Sequence, residues 1–294
     1  MFCLRIANAR SCRALRRSLS TFVVLAISGC AALQSPAERA DAQAKAGHFQ
    51  PVAAVAGPVR AWLRQTRPLF AQTTPPVENA TLTVYIEGDG AEWRGKFQPP
   101  ADPTPDNPLT LRLALRDPDA RVAYLGRPCQ YLEHDALAQC PPRLWIRARF
   151  GAQAVDMMNA AIDVLARTAS AQRVRLVGYS GGGAMAALLA ARRTDVACLV
   201  TVASPLDTDA WTAAIDVSPL AESLNPLELV PQLASIAQTH FSGAEDHVVP
   251  VRTLRRFTEA QPAARVEVID AFDHDCCWVL AWEKLRQRTC LVTL

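Results

Sequence analysis

The stretch "VRLVGYSGGGAMAALLAARR", Val174 to Arg193, changes its hydrophobic period at a serine followed by three glycines. Val174 to Tyr179 is short, apolar and β-branched, whereas the second half is rich in Ala and Leu, with Leu188 and Leu189 on a helical spacing. The change of period predicts a strand, a sharp turn at Ser180 and a helix. Gly181, Gly182 and Gly183 open that helix, although alanine is the better residue by about 1 kcal/mol at an interior position. Close approach of backbone to backbone, rather than helix propensity, selects them. Gly178-Tyr179-Ser180-Gly181-Gly182 also fits G-x-S-x-G, in which a strand-to-helix turn raises a serine hydroxyl above the edge of a parallel sheet.

Outward from this segment, strand and helix signals alternate. "GPVRAWLRQ" (57–65), "ATLTVYIEGDG" (80–90) and "RVAYLGRPC" (121–129) read as strands, and the proline-dense "GKFQPPADPTPDNP" (95–108) as loop. Ala152 to Thr168 carries helical spacing through Val155, Ile162 and Leu165. Beyond Arg193 come a strand in "VACLVTVAS" (196–204), a proline-punctuated stretch from Pro205 to Pro231, and a strand in "QTHFSG" (238–243). A helix from Val251 to Ala260, a strand in "RVEVIDAF" (265–272) and a closing helix complete the chain. The alternation predicts an α/β fold built on one doubly wound, mostly parallel sheet, with no internal repeat or interdomain linker. Such sheets bind ligands beyond the carboxyl ends of their strands. Ser180 falls at that edge, together with "EGDG", "GAEDHVVP" and "AFDHDCCW".

Half of the 294 residues are hydrophobic and one fifth charged, enough to bury one sizeable core. The formal charge of +3 owes much to Arg5, Arg10, Arg13, Arg16 and Arg17; without residues 1–29, 26 basic residues face 28 acidic ones. No clustered basic face is expected, which argues against a nucleic-acid partner. The arginine-rich start followed by "LSTFVVLAISGC" reads as a signal peptide over 1–29, too short to span a bilayer as a mature helix. Ile27-Ser28-Gly29-Cys30 resembles a bacterial lipobox, which makes Cys30 the expected acylated N-terminus; an ordinary signal with Cys30 incidental is the alternative. Palmitate-type chains contribute about 0.8 kcal/mol per buried methylene and would hold the chain on a membrane. An aspartate after the cysteine is the retention signal of such lipoproteins; with Ala31 in that place, the resemblance implies the bacterial cell envelope, at the outer membrane facing the periplasm. Residues 30–50 read as a tether without a core, and 51–294 as the folded domain, with a cap segment over 205–235.

Six cysteines remain beyond Cys30, and they suit an oxidising compartment. The expected pairs are Cys129 with Cys140 and one of Cys276 or Cys277 with Cys290, leaving Cys198, in an apolar run, as a buried free thiol. Neither C-x-x-C nor a matching histidine spacing occurs, so no metal site is expected.

"YIEGDG" (85–90), "GYSGGG" (178–183), "GAEDHVVP" (243–250) and "FDHDCCW" (272–278) together resemble the α/β-hydrolases, and more closely the secreted bacterial lipoproteins of that superfamily. The resemblance runs from Gly57 to Trp282 and implies a serine nucleophile at Ser180 with no cofactor. A general base needs a near-neutral pKa, which selects histidine. Of His48, His134, His240, His247 and His274, the last follows the final strand, where the family's histidine sits. The resemblance places the orienting acid at Asp246, with Asp207 after the preceding strand as the alternative. Gly181 offers one oxyanion-stabilising N–H, and the resemblance points to Asp89 for the other, with Gly90 as the alternative. Glu87 stands where many relatives carry histidine.

The expected activity is cleavage of a carboxylic ester or thioester through an acyl-enzyme, on a small-molecule acyl substrate. Trp93 and Phe97 are candidates for the acyl pocket. Peptidase or amidase action is the alternative on the same fold, and a non-catalytic envelope lipoprotein with a binding module is the alternative of another class.

Overall fold

A computed structural model describes residues 34–55, 57–65, 80–91 and 98–292. The leader, Cys30, Trp93 and Phe97 lie outside these residues. In chain order the elements are α1 (Pro36–Ala46), β1 (Gln50–Pro51), β2 (Ala61–Gln65), β3 (Thr81–Ile86), α2 (Leu109–Leu115), β4 (Arg121–Leu125), α3 (His134–Ala138) and α4 (Ala152–Thr168). They continue with β5 (Arg173–Tyr179), α5 (Gly181–Ala190), β6 (Val196–Val202), α6 (Thr208–Ala214), α7 (Val230–Leu233), β7 (Ala237–Gly243), α8 (Arg255–Ala260), β8 (Arg265–Ile269) and α9 (Trp278–Arg286).

Successive strand residues point to opposite faces, so each central strand feeds two cores. Val84, Ile86, Leu176 and Leu199 pack on one side with Val155, Met158, Ile162 and Leu165 of α4 and the residues of α5. Tyr85, Val177, Val200 and Phe241 pack on the other with α2 and with Trp278 and Trp282 of α9. Burial on both faces explains why these strands read as nearly continuous apolar runs. The eight strands lie in the order β1-β2-β4-β3-β5-β6-β7-β8. From β4 through β8 all neighbours are parallel, while β1 pairs antiparallel with β2 and β2 antiparallel with β4. The sheet is therefore mostly parallel with an antiparallel edge.

All ten residues of α5 are buried, which accounts for its lack of an amphipathic stripe. Its glycines let it press onto the sheet: a Cβ at Gly182 would collide with the carbonyl oxygens of Ile86 and Glu87, and one at Gly178 with the backbone of Gly182 and Gly183. This is the close approach that the glycine run predicts.

Two expectations are corrected. The segment read as a coreless tether contains α1, which buries Ala40 and Ala44 and is followed by buried Phe49. The helix starts at a capping box in which Ser35 Oγ accepts from Glu38 N at 3.1 Å and Ser35 N donates to Glu38 Oε2 at 2.7 Å. Trp62 of β2 donates from Nε1 to Asp41 at 2.9 Å, tying the helix to the sheet. The cysteines are also paired differently. Cys129–Cys140 is present as expected, but Cys198 bridges Cys290, and Cys276 bridges its neighbour Cys277. Cys198 is buried on β6, and the chain leaving α9 returns beside it to a Cα separation of 5.6 Å.

Candidate active site

Ser180 lies between β5 and α5 with φ 51° and ψ −128°. A non-glycine residue at positive φ is strained and persists only where its surroundings hold it. Here its N–H donates to Val202 O at 2.8 Å and its carbonyl accepts from Gly183 N at 2.9 Å. The strained turn lifts the side chain off the carboxyl edge of the sheet, as G-x-S-x-G requires.

Asp246 follows β7 and His274 follows β8, the two strands beyond β6 at the same edge. His274 Nε2 is 3.1 Å from Ser180 Oγ, and its Nδ1 is 2.9 Å from Asp246 Oδ2. The second carboxylate oxygen of Asp246 accepts from Val248 N at 2.9 Å and Val249 N at 2.7 Å, so backbone amides fix its orientation. The Asp246 side chain is fully buried, and that of His274 is 13% exposed, towards the cleft.

The loop carrying His274 is held from several sides. Trp278 Nε1 donates to His274 O at 2.9 Å. Asp273 accepts the N–H groups of Cys276 (2.6 Å) and Asp275 (2.9 Å), which draw its carboxyl below the usual range. Tyr179 OH donates to Asp275 at 2.8 Å, joining the residue before the serine to the residue after the histidine. Burial pushes the Tyr179 phenol up, and the Asp275 charge pushes it further, so the hydroxyl stays protonated as a donor.

Asp207 and His240 are engaged elsewhere, and the remaining histidines are exposed. Asp207 caps α6, accepting from Ala210 N at 3.1 Å, and its buried carboxylate also meets Asn225 and Arg256. His48, His134 and His247 are exposed. His240 is buried between Thr201 Oγ1, 2.8 Å from its Nδ1, and Gln238; burial lowers its pKa to about 3, so it is neutral.

Opposite Ser180, Glu87 to Gly90 form the turn after β3. Glu87 is buried, and burial raises its pKa against the opposing pull of its hydrogen bonds. Its carboxylate takes Gly88 N at 2.9 Å, Thr110 Oγ1 at 2.9 Å and Tyr124 OH at 2.8 Å, a set that anchors the turn from beneath. Gly90 adopts φ +92°, and a side chain there would strike Pro103 O. The Asp89 carboxylate lies against Gly181, filling the space a side chain at that position would take. Arg149 and Arg127 reach it at 2.8 Å and 3.2 Å. Both arginines escaped the sequence reading, because they sit outside every motif.

Ser180 and His274 open into a cleft of about 960 Å³, whose walls include Pro36, Trp145, Arg149, Tyr179, Trp211 and Val248. Trp211, from α6 in the expected cap segment, is fixed by a 2.8 Å bond from Nε1 to Val248 O. Among the described residues no cluster of three or more His, Cys, Asp or Glu is arranged to hold a metal ion.

No protein-family model matches the chain, and no curated protein matches it in sequence. Solved structures do match. Est1E from Butyrivibrio proteoclasticus is 12% identical with a TM-score of 0.54, over 82% of this chain and 97% of that one. The Pyrococcus furiosus esterase Pf2001 is 13% identical with a TM-score of 0.52, over 83% and 92%. Proline iminopeptidase from Mycobacterium smegmatis is 14% identical with a TM-score of 0.54, over 83% and 96%. The fold is the α/β-hydrolase fold. At these identities the likeness is one of architecture, and chemistry resides in the site rather than in the fold.

Proposed function

We propose that the protein is a serine hydrolase that cleaves a carboxylic ester or thioester through an acyl-enzyme. The observation that carries this reading is the continuous chain from Ser180 Oγ through His274 to Asp246, with links of 3.1 and 2.9 Å. In the resting tautomer His274 Nδ1–H donates to Asp246, leaving Nε2 to accept the Ser180 hydroxyl. As Ser180 Oγ attacks the acyl carbonyl, its proton passes to Nε2, and the buried Asp246 carboxylate stabilises the imidazolium. The proton then goes to the departing alcohol or thiol. Water, deprotonated by the same nitrogen, releases the acid and restores the serine. The N–H groups of Gly181, at the start of α5, and of Asp89 stabilise the negative charge on the carbonyl oxygen. No step calls for a cofactor.

The cleft is near the top of the range of about 300–1,000 Å³ usual for small-molecule sites, which supports an acyl substrate larger than acetate. Anchorage through an acylated Cys30 on the bacterial envelope belongs to the same proposal. No described helix is long and apolar enough to cross a membrane. A fluorophosphonate probe tests the chemistry: covalent labelling that Ser180→Ala abolishes is the expected result. A folded protein that never labels would overturn the reading and leave a binding module.

A further inference from the structure

Asp89 sets a carboxylate against the backbone proposed to receive a developing negative charge. Taken alone this is adverse, since like charges at close range in a partly buried site repel. Two guanidinium groups reverse the sign. Arg149 Nη1 meets Asp89 Oδ2 at 2.8 Å, and Arg127 Nη1 meets Oδ1 at 3.2 Å. The Arg127 side chain is 4% exposed and that of Arg149 11%, so little water screens either contact.

Each arginine is itself anchored. Arg149 Nε donates to Ile146 O at 2.6 Å, and an Nη2 hydrogen of Arg127 goes to Arg149 O. Arg127 N donates to Gln130 Oε1 at 2.8 Å, while Gln130 Nε2 donates to Gly88 O at 3.0 Å, inside the Glu87–Gly90 turn. The Cys129–Cys140 bridge ties down the same stretch, and the Arg127 guanidinium lies 5.1 Å from the centre of the Phe150 ring. The turn after β3 is thus bolted to the segments around 127–130 and 146–150, which no local hydrogen bonding of the turn itself requires.

We infer that Arg127 and Arg149 are positioning residues: through the Asp89 carboxylate they clamp the Glu87–Gly90 turn in the geometry from which its backbone stabilises an oxyanion, and they leave the net local charge positive. This rests on the acyl-transfer chemistry proposed for Ser180. Misplacement of catalytic groups by about 1 Å costs on the order of a hundredfold, and loss of an oxyanion donor about a hundred- to a thousandfold. A partial loosening falls at or below that range.

The test compares Asp89→Asn, Arg149→Lys and Arg149→Met with the wild type, using p-nitrophenyl acetate for turnover and 1,1,1-trifluoro-2-octanone as an inhibitor that forms a serine-bound oxyanion. The expected result for Arg149→Met is a kcat lower by about tenfold to a hundredfold with KM within about twofold, and trifluoroketone affinity reduced by the same factor. Arg149→Lys keeps the charge without the fork and recovers part of the loss, and it serves alone should circular dichroism show the methionine variant unfolded. Asp89→Asn separates clamp from charge. Removing an adverse charge would speed the reaction, whereas slackening the clamp, since the amide keeps one acceptor oxygen for two guanidiniums, slows it. Unchanged kcat in the folded variants, a faster Asp89→Asn, or a rise in KM alone, which would make Arg149 an anchor for a substrate anion, overturns the inference. Fluorophosphonate labelling keeps the two readings apart: an unlabelled wild type overturns both, and a labelled, active wild type with indifferent variants overturns only the clamp.

Discussion

The Nδ1 atom of His274 lies 2.9 Å from Asp246 Oδ2, although 28 residues separate them in the chain. Parallel β7 and β8 are neighbours in the sheet, so the loops leaving their carboxyl ends meet above the same edge. The spacing in sequence is occupied by the crossover between them, and the contact is made by topology.

Ser180, His274 and Asp246 are expected to behave as one unit. Ser180→Ala and His274→Ala should each remove nearly all turnover of an ester substrate, and the double variant should be scarcely worse than either alone. Asp246→Asn should keep the fold and lose on the order of a thousandfold or more in kcat, because the amide fails to hold the productive tautomer. Steady-state kinetics of the four variants checks this, and near-normal turnover in His274→Ala would remove the base.

Asp207→Asn should leave kcat within a few-fold and act on stability instead. The carboxylate caps α6 and faces Arg256, while the imidazole of His274 is bonded to Asp246. Loss of a good cap costs about 1 kcal/mol, with asparagine itself a competent cap, so the change reads mainly the lost ion pair. A crippled but fully stable Asp207→Asn enzyme would contradict this placement, as judged by paired denaturation and rate measurements.

Replacing Cys198 and Cys290 together by alanine should destabilise the domain more than removing the Cys129–Cys140 bridge. The two bridges span 92 and 11 residues, which in the chain-entropy treatment correspond to about 4–5 and about 3 kcal/mol. Urea denaturation of the two double variants gives the order directly. Equal midpoints would show that native contacts, rather than loop closure, set the stability.

Stability should fall as the pH drops from about 6.5 towards about 3, in part because of His240. Its folded pKa is depressed to about 3 by burial, whereas the unfolded chain takes up the proton near the ordinary value of 6.5. Within that window the unfolded state binds more protons, and one such group steepens the fall by up to about 1.4 kcal/mol per pH unit. His240→Gln should flatten the curve by that amount, measured by denaturation across the window. An unchanged slope would place the acid sensitivity in the carboxylates alone.

Cys30→Ser should shift the protein from the membrane fraction to the soluble one, or leave its leader uncleaved. Fractionation of cells producing each form is the check, and identical distribution and processing would remove the proposed anchor.

The hydrophobic period of each segment was enough to find β3 through β8, α4 with both of its ends, and the strand–turn–helix at Ser180, because these depend on neighbours within a few residues. The order of the motifs brought Ser180, Asp246 and His274 to one edge for the same reason: the carboxyl end of a parallel strand is defined locally. Asp246 and Asp207 follow adjacent strands and are equivalent in the sequence pattern, and only the tertiary structure shows which carboxylate lies against the imidazole of His274. The helix α1 was missed although Ser35 and Glu38 spell its capping box, because its buried face is made of Ala40 and Ala44, too small to mark a core position. Cys198 read as an isolated thiol because nothing along β6 announces that the end of α9 returns beside it. The Asp89 clamp joins residues 38 and 60 positions apart, and only the packing of three loops brings those charges within hydrogen-bonding distance.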